Sequence, residues 1–421
     1  MEVVPRAYTP HEYTTDVDIS SAEFWKKPFA ERDKSFARLR ERGEITFHPP
    51  MEIPVPTDEQ GFWAVTKAED LAEAAKRSDV FLSGFGIQID PYPWDGSSSS
   101  FFHTQDGELH QRNRALVSAA FTPKRVASLV DDIYGEATRV VDDVAGGGDF
   151  DFVVDVAEKL PARVGARLID LPDSEFEGFV RASGVLIGKA DEEFGDPSDP
   201  LTAFKAARSH VMELGRSLAE HRRANPGNDL ISTLVQAEVD GQKLSDEDLG
   251  AFTYLITIAS NDTTKQTTTL AQMALADHPD QEAWLREDID VRLTTAVPEF
   301  LRYGNPVIHH ARTAAFDIEW KGQQIAKGDR LALFYCSANR DEERFPDAQK
   351  FDLSRTPNPQ VSFGGGGVHF CLGNRFATTM LTAIYSQLLS RVRVEVTGEP
   401  QYLASDLING VRHLPVHVTA L

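Results

Sequence analysis

The sequence predicts a mainly α-helical protein with minor β sheets, and three observations carry that expectation. Amphipathic helical patterning runs from Glu108 to about His221, resumes from Ser245 to His278, and returns from Glu282 to Tyr303. A further helix fits Asn374 to Arg391 behind a Gly-rich loop. Strand-like alternation is confined to short runs: Ile45-Thr46-Phe47, Gly61 to Val65, Phe316 to Trp320 and Arg330 to Phe334. The 421 residues, 41% of them hydrophobic, suffice for one large core. No fixed-period repeat divides them, so a single domain over 1–421 is expected. Its β-rich part should lie at about 44–66 and 306–335, and its helical lobe at about 107–304 and 374–391.

Taken in order, the first strands lead into a helix from Ala68 to Lys76. A Gly-, Pro- and Ser-rich loop follows from Ser83 to Phe102, and structureless stretches of that length inside a compact domain are usually functional or disordered. Phe121-Thr122-Pro123 and Gly146-Gly147-Gly148 break the next helical region, and an acidic loop spans Asp191 to Pro200. Ser245-Asp246-Glu247-Asp248 is a capping box in form and opens an unusually long helix. Pro298 should cost the Glu282–Tyr303 helix a hydrogen bond unless the helix restarts there. The strands after it are expected to pair around a Lys327-Gly328-Asp329 turn.

Bulk properties exclude several functions. Forty-three basic residues against 65 acidic ones leave a net charge of −22, which repels nucleic acid and anionic lipid heads. Met1 to Pro10 has neither a basic nor an apolar leader region, and the longest apolar stretch, Phe252 to Ala259, is too short for a membrane span. Cys336 and Cys371 have no disulfide or zinc spacing, so a reducing, cytoplasmic setting is expected.

Cys371 stands between the glycines Gly364 to Gly367 and the start of a helix. Unpaired N–H groups and the positive dipole end there favour an anionic thiolate, the form that binds metal. Positive-φ glycines would let a flat macrocycle approach the backbone. Taken locally, a buried structural cysteine beside a turn is the better fit. A second signal is Ala259-Ser260-Asn261-Asp262-Thr263 inside the long helix. Asp and Thr suit an apolar helix interior poorly, and the same residues also read as an N-cap after a short strand. A third is Glu299-Phe300-Leu301-Arg302, a carboxylate and a guanidinium on one helix face.

The string Phe363 to Gly373, with His369 two residues before Cys371 and Leu372-Gly373 after it, resembles the haem-binding signature of cytochrome P450 enzymes. Ala259 to Thr263 resembles that family's oxygen-activation motif, with Ser260 in place of the usual glycine. Glu299 and Arg302 resemble its buried Glu-x-x-Arg pair, although Lys350 stands where a third partner is often Arg or His. Asn339-Arg340-Asp341 and Phe345-Pro346 complete the series in order, from about Val17 to the end. The resemblance implies a triangular helical prism with a long central helix over haem b, and Cys371 as axial ligand of the iron. It implies that Phe363 or Phe370 shields the sulfur, that the Thr263 hydroxyl bonds the Ala259 carbonyl, and that Asp262 delivers protons while Thr263 holds dioxygen. Propionate partners would be His110, Arg114, Arg312 and His369, with His310 as a fifth.

The implied reaction is monooxygenation: one atom of O2 enters a C–H bond, with electrons from NAD(P)H. No flavin, nicotinamide or iron–sulfur motif is present, so a ferredoxin and its reductase are expected to deliver them. Arg112, Lys124, Arg125 and Arg375 form a candidate docking patch on the Cys side. Substrate contacts are expected from Ile87, Ile89, Phe101 and Phe102 in the long loop, Val185 and Leu186, Ile258, then Val307, Ile308 and His309, and Leu407 and Ile408. They are largely apolar, so a lipophilic substrate is expected. The glycine-loop variant resembles actinobacterial enzymes acting on steroids and branched lipids, which favours a steroid, terpenoid or branched fatty acid. Tailoring of a polyketide or other secondary metabolite is the alternative substrate class. A peroxygenase or haem sensor is the alternative function, and Asp262-Thr263 argues against the peroxygenase.

Overall fold

Ser245 starts the helix that organises the fold. Its hydroxyl accepts from the Asp248 N–H while the Asp248 carboxylate accepts from the Ser245 N–H, and the helix runs 32 residues to Asp277. The computed structural model describes residues 11–52, 59–89, 102–118, 121–188, 191–194, 199–239 and 241–421. Phe101, one of the expected substrate contacts, lies outside them.

Around the central helix pack Lys159–Leu168, Phe176–Ile187, Pro200–Ala224 and Ile289–Gly304, with Asn374–Arg391 behind them. Val141, Phe179, Leu249, Phe300 and Tyr385 belong to the large apolar core these helices enclose. A run of hydroxyl side chains along the central helix, Thr253, Thr257, Ser260, Thr263, Thr267, Thr268 and Thr269, bonds back to carbonyls four residues earlier. That is how so polar a sequence stays buried as a helix.

The largest sheet has five strands in the order Thr46–His48, Phe62–Val65, Arg330–Phe334, His309–Ala314 and Phe81–Leu82. Both faces are covered. Trp63, Val65, Leu331 and Leu333 meet the helix Ala68–Lys76, while Phe62, Ala64, Ala332 and Phe334 meet the helices Ala22–Lys26 and Phe29–Arg42. The period of two in each strand divides its side chains between two cores.

Three sequence expectations are corrected. The strand Ile318–Trp320 pairs with Gln323–Ile325 and not with Arg330–Phe334. Lys321 and Gly322, at φ 51° and 76°, close a two-residue hairpin whose twist matches its strands. The pattern from Glu282 to Tyr303 is two helices, Pro279–Glu287 and Ile289–Gly304, because the Asp288 side chain caps a new start on the Val291 N–H. The second helix runs through Pro298 without restarting.

Candidate functional site

Cys371 sits at the end of a loop that only glycine can form. Gly364, Gly365, Gly366 and Gly367 all have positive φ, between 70° and 106°. A Cβ on Gly367 would lie 2.1 Å from the Ala75 carbonyl oxygen, and one on Gly365 would lie 2.5 Å from Leu71. The loop is thereby pressed onto the helix Ala68–Lys76. It is tied back by the Cys371 N–H, which donates to the Phe363 carbonyl at 2.9 Å, and Phe363 meets Phe370 edge to face at 6.2 Å. Burial pushes the Cys371 thiol up, while the Gly373 N–H and the Arg114 charge pull it down. Gly373 caps the helix Asn374–Arg391, so the sulfur does meet a helix N-terminus.

Beside this loop lies a concentration of cationic and imidazole side chains. The His110 and His369 rings are 4.2 Å apart, and the Arg114 Nη2 donates to the Phe370 carbonyl at 2.5 Å. Arg312 is buried, and among the described residues its hydrogen bond goes only to the neighbouring Ala311 carbonyl. Burial is the first cause of depressed basicity at His110 and His103, each brought down to about 4, and at His369, brought down to about 2. Arg312 adds to it at His110 and His369. His310 is pushed well down by burial and by Arg312, and its Nδ1 is 3.4 Å from the Tyr335 hydroxyl.

At this site three buried ring nitrogens, His103 Nδ1, His110 Nε2 and His369 Nε2, have no hydrogen-bond partner among the described residues. The nearby Asp106 carboxylate is spent on the Ser83 and Gly84 N–H groups, at 2.8 and 2.7 Å, and stays 3.9 Å from His369. Buried donors left over beside two guanidinium groups fit an anionic group bearing carboxylates. A haem would satisfy both halves of this arrangement, with the cationic side chains facing its propionates and Cys371 available to its iron. His103 escaped the sequence reading because it lies in a short 3₁₀ turn, Phe102–Thr104, with no periodic signal.

The centre of the long helix is open on one side. Ala259 is exposed and Thr263 half-buried, whereas Asn261, Asp262 and Thr264 are buried. The Thr263 hydroxyl donates to the Ala259 carbonyl at 2.8 Å. The segment is mid-helix, so the N-cap reading is excluded. Ser260 turns its hydroxyl to the Ile256 carbonyl at 2.7 Å, and a Cβ on Gly165 would meet it at 3.2 Å. Gly165 on the neighbouring helix thus makes room for the serine.

Asp262 is held on both oxygens. Lys265 Nζ pairs with Oδ1 and the Ser183 hydroxyl donates to Oδ2, each at 2.7 Å. Lys265 also reaches Glu158 at 3.3 Å, and despite burial it is held more basic than usual by Asp262 and Glu158. Asn261 is buried, and among the described residues neither of its amide atoms has a partner, which suits an ordered water.

Glu299 and Arg302 form a bidentate pair at 2.7 Å, both fully buried. Arg302 donates further to the carbonyls of Asn339, Ala348 and Lys350. Glu299 accepts from the Asp352 N–H and Asn358, and Arg355 approaches it at 3.3 Å. Lys350 contributes its carbonyl while its ammonium turns outward to Asp352, and Arg355 takes the place of a third partner.

Of the expected substrate residues, Ile258, Val307, Leu407 and Ile408 come together with Ile187, Leu403 and Phe194. Val307 and Ile408 form a backbone bridge. Leu186 packs in an adjoining cluster with Val211, and Val185 is half-buried. Ile89 and Ile308 pack instead under the sheet with Phe36 and Phe334. His309 is buried, its ring bonded to the Ile89 N–H and the Asp406 carbonyl. Ile87 is half-buried and its carbonyl accepts from the Ala311 N–H, while Phe102 is buried beneath Arg114.

Residues 201–409 match the family described as cytochrome P450. The chain is 36% identical over 414 residues to a methyl-branched lipid omega-hydroxylase of Mycobacterium tuberculosis, covering 97% of this chain and 96% of that protein. It is 33% identical to a steroid C26-monooxygenase of Mycolicibacterium smegmatis, over 86% of this chain and 84% of the relative. Among solved structures, a cytochrome P450 of Mycobacterium marinum in complex with pseudoionone superposes with a TM-score of 0.91 at 39% identity, covering 96% and 99% of the two chains.

Proposed function

Because the chain belongs to the cytochrome P450 family, a haem b monooxygenase family, we propose that it hydroxylates a lipophilic substrate with a branched alkyl chain: a steroid, terpenoid or branched fatty acid. When bound, the haem supplies the oxygen chemistry, in which one atom of O2 enters a C–H bond, the other leaves as water, and two electrons come from NAD(P)H. The observation that carries the substrate reading is the apolar group Ile187, Ile258, Val307, Leu403, Leu407 and Ile408, which includes the residue next to Ala259 on the central helix. Such a lining binds an alkyl chain by burial and excludes water from the groove at Thr263. The relatives named for methyl-branched lipids and steroids support the same class.

Cys371 Sγ would hold the haem iron, and His103, His110, Arg114, Arg312 and His369 would donate to the propionates. Thr263 presents its hydroxyl oxygen to the groove while its proton is engaged by Ala259. Asp262 is the proposed proton source, and its carboxylate has to leave Lys265 and Ser183 to serve Thr263.

Electrons are proposed to arrive from a ferredoxin and its reductase in the cytoplasm. Arg112, Lys124, Arg125 and Arg375 have no carboxylate at ion-pair distance among the described residues, and Leu109, Val368 and Phe370 are exposed apolar side chains on or beside the Cys loop and the helix Gly107–Ser118. An apolar centre with unneutralised cations suits an acidic partner. No helix among the described residues is long and apolar enough to cross a membrane.

The test is a screen of steroids, terpenes and branched fatty acids for the low-to-high-spin shift of the haem, followed by product identification. Shifts and hydroxylated products in this class are expected. A response confined to polar polyketides would replace the reading with the secondary-metabolite one.

A further inference from the structure

We propose that Phe194 is a specificity-determining residue that sets how long a substrate chain the cavity accepts. The inference rests on the lipophilic-substrate reading above. Phe194 follows the helix Phe176–Ile187 and folds back onto its end. Its ring lies in a notch made by two glycines one turn apart. A Cβ on Gly184 would meet the ring at 2.6 Å, and one on Gly188 would meet it at 2.5 Å. Any larger residue at either position would displace the ring, so the sequence keeps a socket for it.

From that socket the ring packs against the buried cluster Ile187, Leu403 and Ile408, on which Ile258, Val307 and Leu407 also pack, and Ile258 is the neighbour of Ala259 on the central helix. Ile258 and Val307 are themselves only partly buried, so this group is a wall and not a closed core.

The short segment carrying Phe194 is anchored through Asp191 and Glu193. Asp191 is buried and paired with Arg412 at 2.9 Å, and its carbonyl accepts the Phe194 N–H at 3.1 Å. Glu193 meets His413 Nε2 at 3.1 Å, and the other ring nitrogen of His413 meets Asp151 at 2.5 Å. Arg412 and His413 belong to the hairpin pairing Gln401–Tyr402 with Val411–His413, whose turn supplies Leu403, Leu407 and Ile408. One set of polar contacts therefore fixes the ring and the hairpin turn it packs against relative to each other. A substrate chain running along this wall ends against the Phe194 ring. Removing the ring lengthens the space by a few methylene groups, and enlarging it shortens the space.

The test measures spin-shift affinities of the haem-bound protein for saturated methyl-branched fatty acids increasing by two carbons per step. Phe194→Ala should move the optimum to longer chains, with affinity for the acid one step beyond the wild-type optimum rising about tenfold. Phe194→Trp should move it to shorter chains. Retention of the thiolate haem spectrum in both variants separates a change of specificity from misfolding. An unchanged length profile in folded Phe194→Ala and Phe194→Trp would overturn the assignment of Phe194. Absence of any spin shift in the wild-type protein across the series would instead count against the lipid reading on which it rests.

Discussion

Replacing Glu299 by Gln should destabilise the protein without altering its chemistry. The carboxylate receives two bonds from Arg302 at 2.7 Å, one from the Asp352 N–H at 2.9 Å and one from Asn358 at 3.0 Å, and it is fully buried. A glutamine nitrogen in that place would face donors and leave the Arg302 charge uncompensated. Removing one partner of a buried pair costs about 3–5 kcal/mol. For 421 residues, an unfolding entropy of about 2.1 cal/mol/K per residue gives about 0.9 kcal/mol/K, so Tm should fall by about 3–6 °C. Far-UV circular dichroism and loss of the Soret band, followed in one thermal ramp, read both the fold and haem retention. Turnover per remaining haem should match wild type. A Tm within about 1 °C of wild type, or a loss of turnover per haem, would refute the structural role.

Three further outcomes follow from the same geometry. Asp262→Asn should slow turnover by about a hundredfold, and Thr263→Ala should raise peroxide formed per NAD(P)H several-fold, both read by coupled product and peroxide assays; normal coupling in both would remove the relay assignment. Arg112→Glu with Arg125→Glu should slow reduction by ferredoxin in stopped flow while leaving substrate spin-shift affinity unchanged, an effect that weakens with salt. His48, buried on the strand Thr46–His48, is held down to about 4 chiefly by burial. It is neutral in both states above its ordinary 6.5, so its contribution is intact there and is lost as pH falls from 6.5 towards 4, where only the unfolded chain takes the proton. Melts across that range should therefore show a shallower acid decline for His48→Gln, and an unaltered slope would count against it.

Much of the architecture was legible because its signals are local. The capping residues Ser245 and Asp248 mark the start of the central helix, and the apolar periodicities at Ala68–Lys76, Asn374–Arg391 and Arg330–Phe334 match the observed elements. Strand pairing was less legible, since the Lys321-Gly322 turn competes with the more conspicuous Lys327-Gly328-Asp329. Site residues with a motif around them, such as Cys371 and Thr263, stood out in sequence. Those defined by distant partners did not. Glu158 meets Lys265 across 107 positions, Arg355 meets Glu299 across 56, and Phe194 finds its wall only when the terminal hairpin is in place. Ile308 shows the converse limit: apolar character next to Val307 could not say which of the two faces the cavity cluster and which enters the core under the sheet.

Cys371 is the residue proposed to hold the iron of a haem. The reduced, CO-bound difference spectrum of the purified chain tests it most directly. A strongly red-shifted Soret band is expected, one that persists in Cys336→Ser, whose thiol is fully buried in the core under the sheet, and vanishes in Cys371→Ser. A chain that binds no haem, or a red-shifted band that survives Cys371→Ser, would contradict it.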